Sequence, residues 1–248
     1  MNAKCRISAI VLVVTFSLLT ALALGKAQVT KGESLPQGEK GKGIMLWNFE
    51  NVPAGQLPTG WKVEGTNQKG PLATWKVIED KTAPSGTHVL AMTSPNHTSG
   101  KTFNICWTKK VSFLDGEIQV RFKAVKGKRD QGGGVMWRVR DKNNYYIARF
   151  NPLENNFRIY YVRNGVRRMI ASVKIVLPAG KWHTLKIVQR GNRFEGYLNG
   201  KKLLQGTNEV FTKPGGVGLW TKADAVTSFD DFIVRPLKEK FPKLNNRS

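Results

Sequence analysis

The feature that most limits what this chain can become is a succession of short alternating runs, with no stretch that sustains a helical period for three turns. Such runs occupy 74–79, 88–93, 103–108, 116–125, 134–140, 145–151, 157–162, 168–173, 182–189 and 193–199. Period-two alternation is the mark of strands with one dry face and one wet face. The clearest case surrounds Asn199-Gly200, a dipeptide that tolerates positive φ at both positions and so suits a tight hairpin. Asp115-Gly116, Asn164-Gly165 and Gly191-Asn192 offer similar turn chemistry, while Pro178-Ala179-Gly180 and Pro214-Gly215-Gly216 break longer connections. A dozen or more strands without crossover helices predict an all-β fold, two antiparallel sheets packed as a single-domain β-sandwich of the jelly-roll kind.

The ends of the chain read differently. Lys4 and Arg6 precede an apolar run from Ile7 to Leu24, and Gly25-Lys26-Ala27 supplies small residues for cleavage, so 1–27 is expected to be an export signal. An uncleaved anchor is the alternative, although Ser8, Thr15, Ser17 and Thr20 dilute the run. Residues 28–43 carry too little apolar surface to offset the entropy of ordering and are expected to form a disordered linker. The sandwich is expected over 44–235, followed by a basic tail over 236–248. Cys5 lies in the signal, which leaves Cys106 alone and excludes an internal disulfide framework from the mature chain. A buried strand position suits it. Lys and Arg outnumber Asp and Glu 40 to 17. A protein so basic seeks anions, yet no helix-turn-helix, zinc-finger or RNA-binding signature accompanies the charge. The expected location is periplasmic or extracellular, with no membrane span after cleavage.

The order of motifs carries a resemblance. Gly116-Glu117-Ile118, Gly132-Gly133-Gly134-Val135, Trp137 to Asp141, Asn144-Tyr145-Tyr146, Lys181 to Lys186, Tyr197 to Lys201, Gly216 to Trp220 and Phe229 to Phe232 follow one another. In that order they resemble the concanavalin A-like lectin/glucanase superfamily, and within it the laminin-G-like bacterial branch near the 3-keto-disaccharide hydrolase domains. The resemblance implies a concanavalin-like jelly roll. Its motifs are mostly scaffold, so it speaks for fold more than for activity.

Glycosidases of laminarinase type in that superfamily place two carboxylates on one strand in a Glu-x-Asp-x-x-Glu run, and this chain has no such run. Asp115 and Glu117 are the nearest pair, but Asp115 belongs to a turn, and Glu117 alternates with Gln119, Arg121 and Lys123 on a polar face. His88, His97 and His183 each lack a second His or Cys at ligand spacing. Of these, His97 sits in a polar loop where functional residues concentrate. The resemblance also implies a structural calcium beside the last strand. Asp231 matches the position, with Glu50 and the Ser85-Gly86 turn as partners. A strand cap, or pairing with lysines, is the alternative use of these acids.

Strand parity suggests a binding face. Tyr146, Ala148 and Phe150 form one side of 145–151, which leaves Tyr145, Arg149 and Asn151 on the other. The same reading turns Arg158 and Tyr160 outward, sets Arg138 opposite Val135, Trp137 and Val139, and places Trp220 and Lys222 opposite Val217 and Leu219. Together Arg138, Tyr145, Arg149, Asn151, Arg158, Tyr160, Trp220 and Lys222 would present rings that stack on pyranoses and cations that favour uronate or sulfate. An ordinary solvated sheet face is the alternative. The function expected is non-catalytic binding of carbohydrate, an anionic polysaccharide in particular. Two alternatives stand beside it: a glycoside-acting enzyme of the 3-keto-disaccharide hydrolase type using His97 or an acid at the rim, and a basic envelope protein that binds an acidic protein. Nucleic acid is not an expected partner.

Overall fold

The computed structural model describes residues 43–237 and, among them, contains fifteen strands and no helix. The expected signal, almost all of the linker and most of the basic tail lie outside the described residues. In chain order the first strands are β1 (Met45–Trp47), β2 (Trp61–Thr66), β3 (Thr74–Glu79), β4 (His88–Ser94) and β5 (Phe103–Phe113). Next come β6 (Gly116–Lys126), β7 (Gly133–Asp141), β8 (Asn144–Asn151), β9 (Asn156–Arg163) and β10 (Val166–Lys174). The last are β11 (Trp182–Arg190), β12 (Arg193–Leu198), β13 (Lys201–Thr207), β14 (Gly215–Lys222) and β15 (Val226–Pro236).

These strands form two sheets in which every pairing is antiparallel. The eight-stranded sheet has the order β13-β12-β11-β6-β15-β4-β3, with β1 also paired to β15. The seven-stranded sheet has the order β10-β9-β8-β7-β14-β5-β2. The result is a jelly-roll sandwich. Asn164-Gly165 and Asn199-Gly200 both take positive φ at both positions, the geometry that matches the twist of a two-residue hairpin.

Alternation along the strands fills the space between the sheets. Val135, Trp137, Tyr146, Ala148, Phe150, Phe157, Ile159, Val217 and Leu219 from the seven-stranded sheet meet Ile118, Val120, Phe122, Leu185, Ile187 and Phe229 from the other. Each Val, Leu, Ile or Phe among them contributes about 1.5–3 kcal/mol through burial. Trp137 also donates Nε1–H to Gln189 Oε1 at 2.9 Å, so its one polar atom is satisfied inside the core. Cys106 is buried here, and burial pushes its thiol pKa up. A second apolar cluster forms on the outer face of the seven-stranded sheet and contains Phe103, Ile105, Trp107, Met136, Val139, Tyr145, Ile147, Tyr160, Val162 and Trp220.

Candidate functional site

Two cross-strand rows define the outer face of the seven-stranded sheet. One runs Arg158, Arg149, Gly134, Trp220 and Ile105 across β9, β8, β7, β14 and β5. The other runs Tyr160, Ile147, Met136, Gly218 and Trp107 across the same strands. Glycine at 218 lets β5 approach closely, because a Cβ there would fall 2.4 Å from Trp107 Cβ and 2.6 Å from Cys106 O, and glycine at 216 leaves room for the Trp107 ring, 2.9 Å from where a Cβ would stand. Of the residues expected on one face, Tyr145, Arg149, Asn151, Arg158, Tyr160, Trp220 and Lys222 therefore share one sheet.

Their exposure differs from a free stacking platform. Tyr145, Tyr160 and Trp220 are 0, 5 and 1 % exposed. Aromatic rings pay for themselves most when fully desolvated, and parity alone does not reveal that a second apolar layer grows around them. Arg167 on β10, a residue parity reasoning passed over, is part of that layer. Its guanidinium carbon stands 4.4 Å from the Tyr160 ring centre, 5.1 Å from Phe103 and 5.7 Å from Trp220. Attraction of cation to ring face explains the placement.

Around the aromatic patch lies a polar network. Arg149 Nη2 contacts Glu154 Oε2 at 2.7 Å and donates to the Tyr160 hydroxyl at 3.2 Å, while Nη1 donates to Asn156 Oδ1. Arg158 Nη1 also reaches Glu154 Oε2 at 3.1 Å, and its Nε donates to Ser172 Oγ at 3.0 Å. Burial opposes ionisation of Glu154, but Arg149, Asn156 and Arg158 together hold its carboxyl below the usual range. At the other end of the face, Asp130 accepts from Asn151 Nδ2 at 3.0 Å and pairs with Lys222 Nζ at 3.0 Å. Burial pushes the Asp130 pKa up against the opposing pull of Lys222 and Arg149. Three donors of the face, Arg149 Nε, Arg167 Nη1 and Trp220 Nε1, are buried without an acceptor. Trp220 Nε1 is turned toward the Tyr145 hydroxyl, outside hydrogen-bonding geometry.

Arg138 departs from the expected face. A bulge interrupts the register on both flanks of β7, and Arg138 itself takes φ 48°. The extra residue reverses parity, so Val139 joins the outer cluster and Arg138 turns the other way. Its guanidinium donates to Leu114 O at 2.9 Å, Phe211 O at 2.6 Å, Gly191 O at 2.7 Å and Asp115 Oδ1 at 3.0 Å. Arg138 thus ties three connections together at one end of the sandwich. Asp115 is accounted for by this contact, and Glu117 faces Arg235 at 3.9 Å.

The residues expected around a cation are near one another. Asp231 accepts from Ser85 Oγ at 2.9 Å and pairs with Arg121 Nε at 3.2 Å. Glu50 accepts the backbone N–H groups of Thr87 and His88, and a Cβ at Gly86 would fall 2.2 Å from its carboxyl carbon. Asp230 accepts from Ser85 N and Asp231 N, and its pKa is raised to about 7 by burial first and by Asp231 second. These carboxylates already receive donors, and among the described residues no group of three or more His, Cys, Asp or Glu is disposed to hold a metal ion. The three histidines are likewise occupied or isolated: His97 Nε2 meets Asn104 Oδ1 at 2.9 Å, His183 Nε2 meets Pro178 O at 2.9 Å, and His88 opens β4. A depression of about 790 Å³ lies elsewhere, between Arg190, Arg193, Phe194, Glu195 and Gln205. The sheet face is favoured over it because unpaired donors and a shared polar network converge there.

Comparison with known proteins places this geometry. The sequence profile of the 3-keto-alpha-glucoside-1,2-lyase-like domain matches residues 46–235. No curated protein matches the chain. Among solved structures, carbohydrate-binding module CBM66 from Bacillus subtilis is 21% identical with a TM-score of 0.56, over 71% of this chain and 96% of that one. A Bacillus licheniformis β-glucanase is 16% identical with a TM-score of 0.54, over 79% and 99%. The cellulose-induced protein Cip1 is 15% identical with a TM-score of 0.52, over 76% and 95%. These likenesses establish a shared fold.

Proposed function

The chain belongs to the 3-keto-alpha-glucoside-1,2-lyase-like domain family, and we propose that it acts as an exported, non-catalytic protein that binds carbohydrate on the outer face of its seven-stranded sheet. The observation that carries this reading is the donor surplus there. Arg149, Arg158, Arg167 and Lys222 surround Asp130 and Glu154, and Arg149 Nε and Arg167 Nη1 have no acceptor. Glycans are rich in acceptor oxygens, and an anionic glycan would also meet the excess of cations. Each acid on the face is held by cations, Glu154 by two arginines and Asp130 by Lys222, which suits anchoring better than proton transfer. Structural resemblance to a carbohydrate-binding module supports the same reading.

The family description favours a second reading, elimination across C1 and C2 of a 3-keto-glucoside. That chemistry needs a base for the C2 proton and a cation beside the developing enolate, and Asp130 with Lys222 supplies both types. Among the described residues no helix is long and apolar enough to cross a membrane. Structural calcium and an acidic protein partner stand as further proposals.

A glycan and polyanion array read at low and high salt separates the readings. Glycan binding through directional hydrogen bonds keeps part of its affinity at high salt, whereas binding to an acidic partner by charge alone collapses. Incubation with 3-keto-disaccharides and their unoxidised parents tests the enzyme. Turnover that disappears in Asp130→Asn would replace the binding reading with the lyase reading.

A further inference from the structure

Arg167 has the exposure and position of a recognition residue and, beyond the three rings it covers, none of the polar partners of a structural one. It belongs to β10, at the edge of the seven-stranded sheet beside β9. None of the ion pairs among the described residues includes it. It is half-buried, so a ligand can reach it, yet Nη1 is buried and has no acceptor. Arg149 repeats the pattern more deeply. Its side chain is 1 % exposed, its two Nη atoms are committed to Glu154, Asn156 and Tyr160, and Nε remains unpaired. Buried donors normally find partners, and with Trp220 Nε1 three failures on one face leave it with more donors than acceptors. The two guanidiniums sense each other: burial depresses the Arg167 pKa first, and the charge of Arg149 depresses it further.

We propose that the accessible edge of the Arg167 guanidinium, with the buried charge of Arg149 behind it, clamps a carboxylate, so that the ligand of this face is a polysaccharide of uronic acids. The assignment rests on the carbohydrate reading above and names the substrate class within it. A neutral hydroxyl can accept one of the free N–H groups but cannot offset a cation held over three rings without a counter-charge. A planar carboxylate offers two oxygens and matches the flat edge of the one guanidinium within reach, that of Arg167. The rings beneath are already capped by Arg167, so the arriving sugar meets the guanidinium before it meets Tyr160 or Trp220.

The test is titration calorimetry of the mature chain at about 0.15 M salt. The probes are an oligogalacturonate, its carboxyl-reduced counterpart and a sulfated neutral oligosaccharide of equal charge. Wild type is expected to bind the uronate at least about tenfold more tightly than either comparator. Arg167→Gln should lose about tenfold for the uronate only, and Arg167→Lys should recover part of it. Arg168→Gln removes the same charge from an exposed neighbour and should leave affinity within about twofold. Melting curves of each variant confirm that it is folded. Equal affinity for uronate and its reduced form overturns the clamp and leaves carbohydrate binding standing. Equal affinity for uronate and sulfate overturns the carboxylate assignment. Silence toward every probe, with a glycan array equally silent, overturns both.

Discussion

Removing the guanidinium of Arg138 tests whether this residue holds the fold or holds a ligand. Arg138→Met keeps length and apolar volume but leaves Leu114 O and Phe211 O without their donor, Gly191 O with Gln189 Nε2 alone, and Asp115 with the Gly191 N–H but no counter-charge. Breaking a buried ion pair by removing one side costs about 3–5 kcal/mol. Asp115 is 29 % exposed at its side chain and rehydrates, so the lower end applies and about 3 kcal/mol is expected. For a domain of this size that corresponds to a fall in Tm of about 6–12 °C. The left-handed backbone adds a second comparison. Arg138 at φ 48° carries a strain of about 1 kcal/mol that glycine does not share, so Arg138→Gly should be about 1 kcal/mol less damaging than Arg138→Ala. Urea titrations with m-values, alongside thermal melts, measure both quantities. A loss below about 1 kcal/mol, or lost glycan retention at unchanged stability, would refute the assignment of Arg138 as a tie between connections.

Gly218→Ala should destabilise by about 1–3 kcal/mol, read by chemical denaturation, because its Cβ would press on Cys106 O and the Trp107 backbone. Asp230 should make the calcium-free protein less stable as pH rises. Its folded pKa of about 7 exceeds the unfolded 3.8, so its contribution is complete below pH 4 and is lost as pH climbs to 7. In chelator, melts from pH 4 to 8 should show this decline in wild type and a flatter profile in Asp230→Asn. If calcium sits there as proposed, adding it at pH 7.5 raises the wild-type Tm and leaves Asp231→Ala unmoved; equal shifts would dismiss the site. Trp220→Ala should weaken glycan retention by removing a ring that supports Arg167, with stability followed in parallel because the buried ring is also packed against Phe103 at 5.3 Å.

Most of the architecture was legible because its signals are local. Runs such as 116–125 and 145–151 became β6 and β8, and the two Asn-Gly turns took the conformation their chemistry favours. Where alternation lapsed, the reading lost precision: exposed Lys109 and Lys110 interrupt β5 after Thr108, and the strand goes on through Val111 and Ser112 to the buried Phe113. The candidate face was legible only as parity. Tyr145, Arg149, Tyr160 and Trp220 point as alternation dictates, but one bulge at Arg138 reversed the count beyond it, and a bulge leaves no reliable trace in composition. Arg167 was missed for a different reason. Its role depends on rings contributed by β5, β9 and β14, a conjunction that exists only once the sheet is assembled.

Strand order carries a consequence for how this protein is made. The last strand, β15, lies between β6 and β4, and the one before it, β14, lies between β7 and β5. Both sheets therefore receive their middle strands last. A chain emerging from the ribosome or a translocation pore has edges and outer strands but cannot close the seven-stranded sheet until about residue 222 is free, or the eight-stranded sheet until about residue 236. Contacts so distant in sequence make folding slow and all-or-none. The same order keeps the nascent chain threadable, and it makes a stop codon anywhere before β15 fatal to the whole domain rather than to one edge.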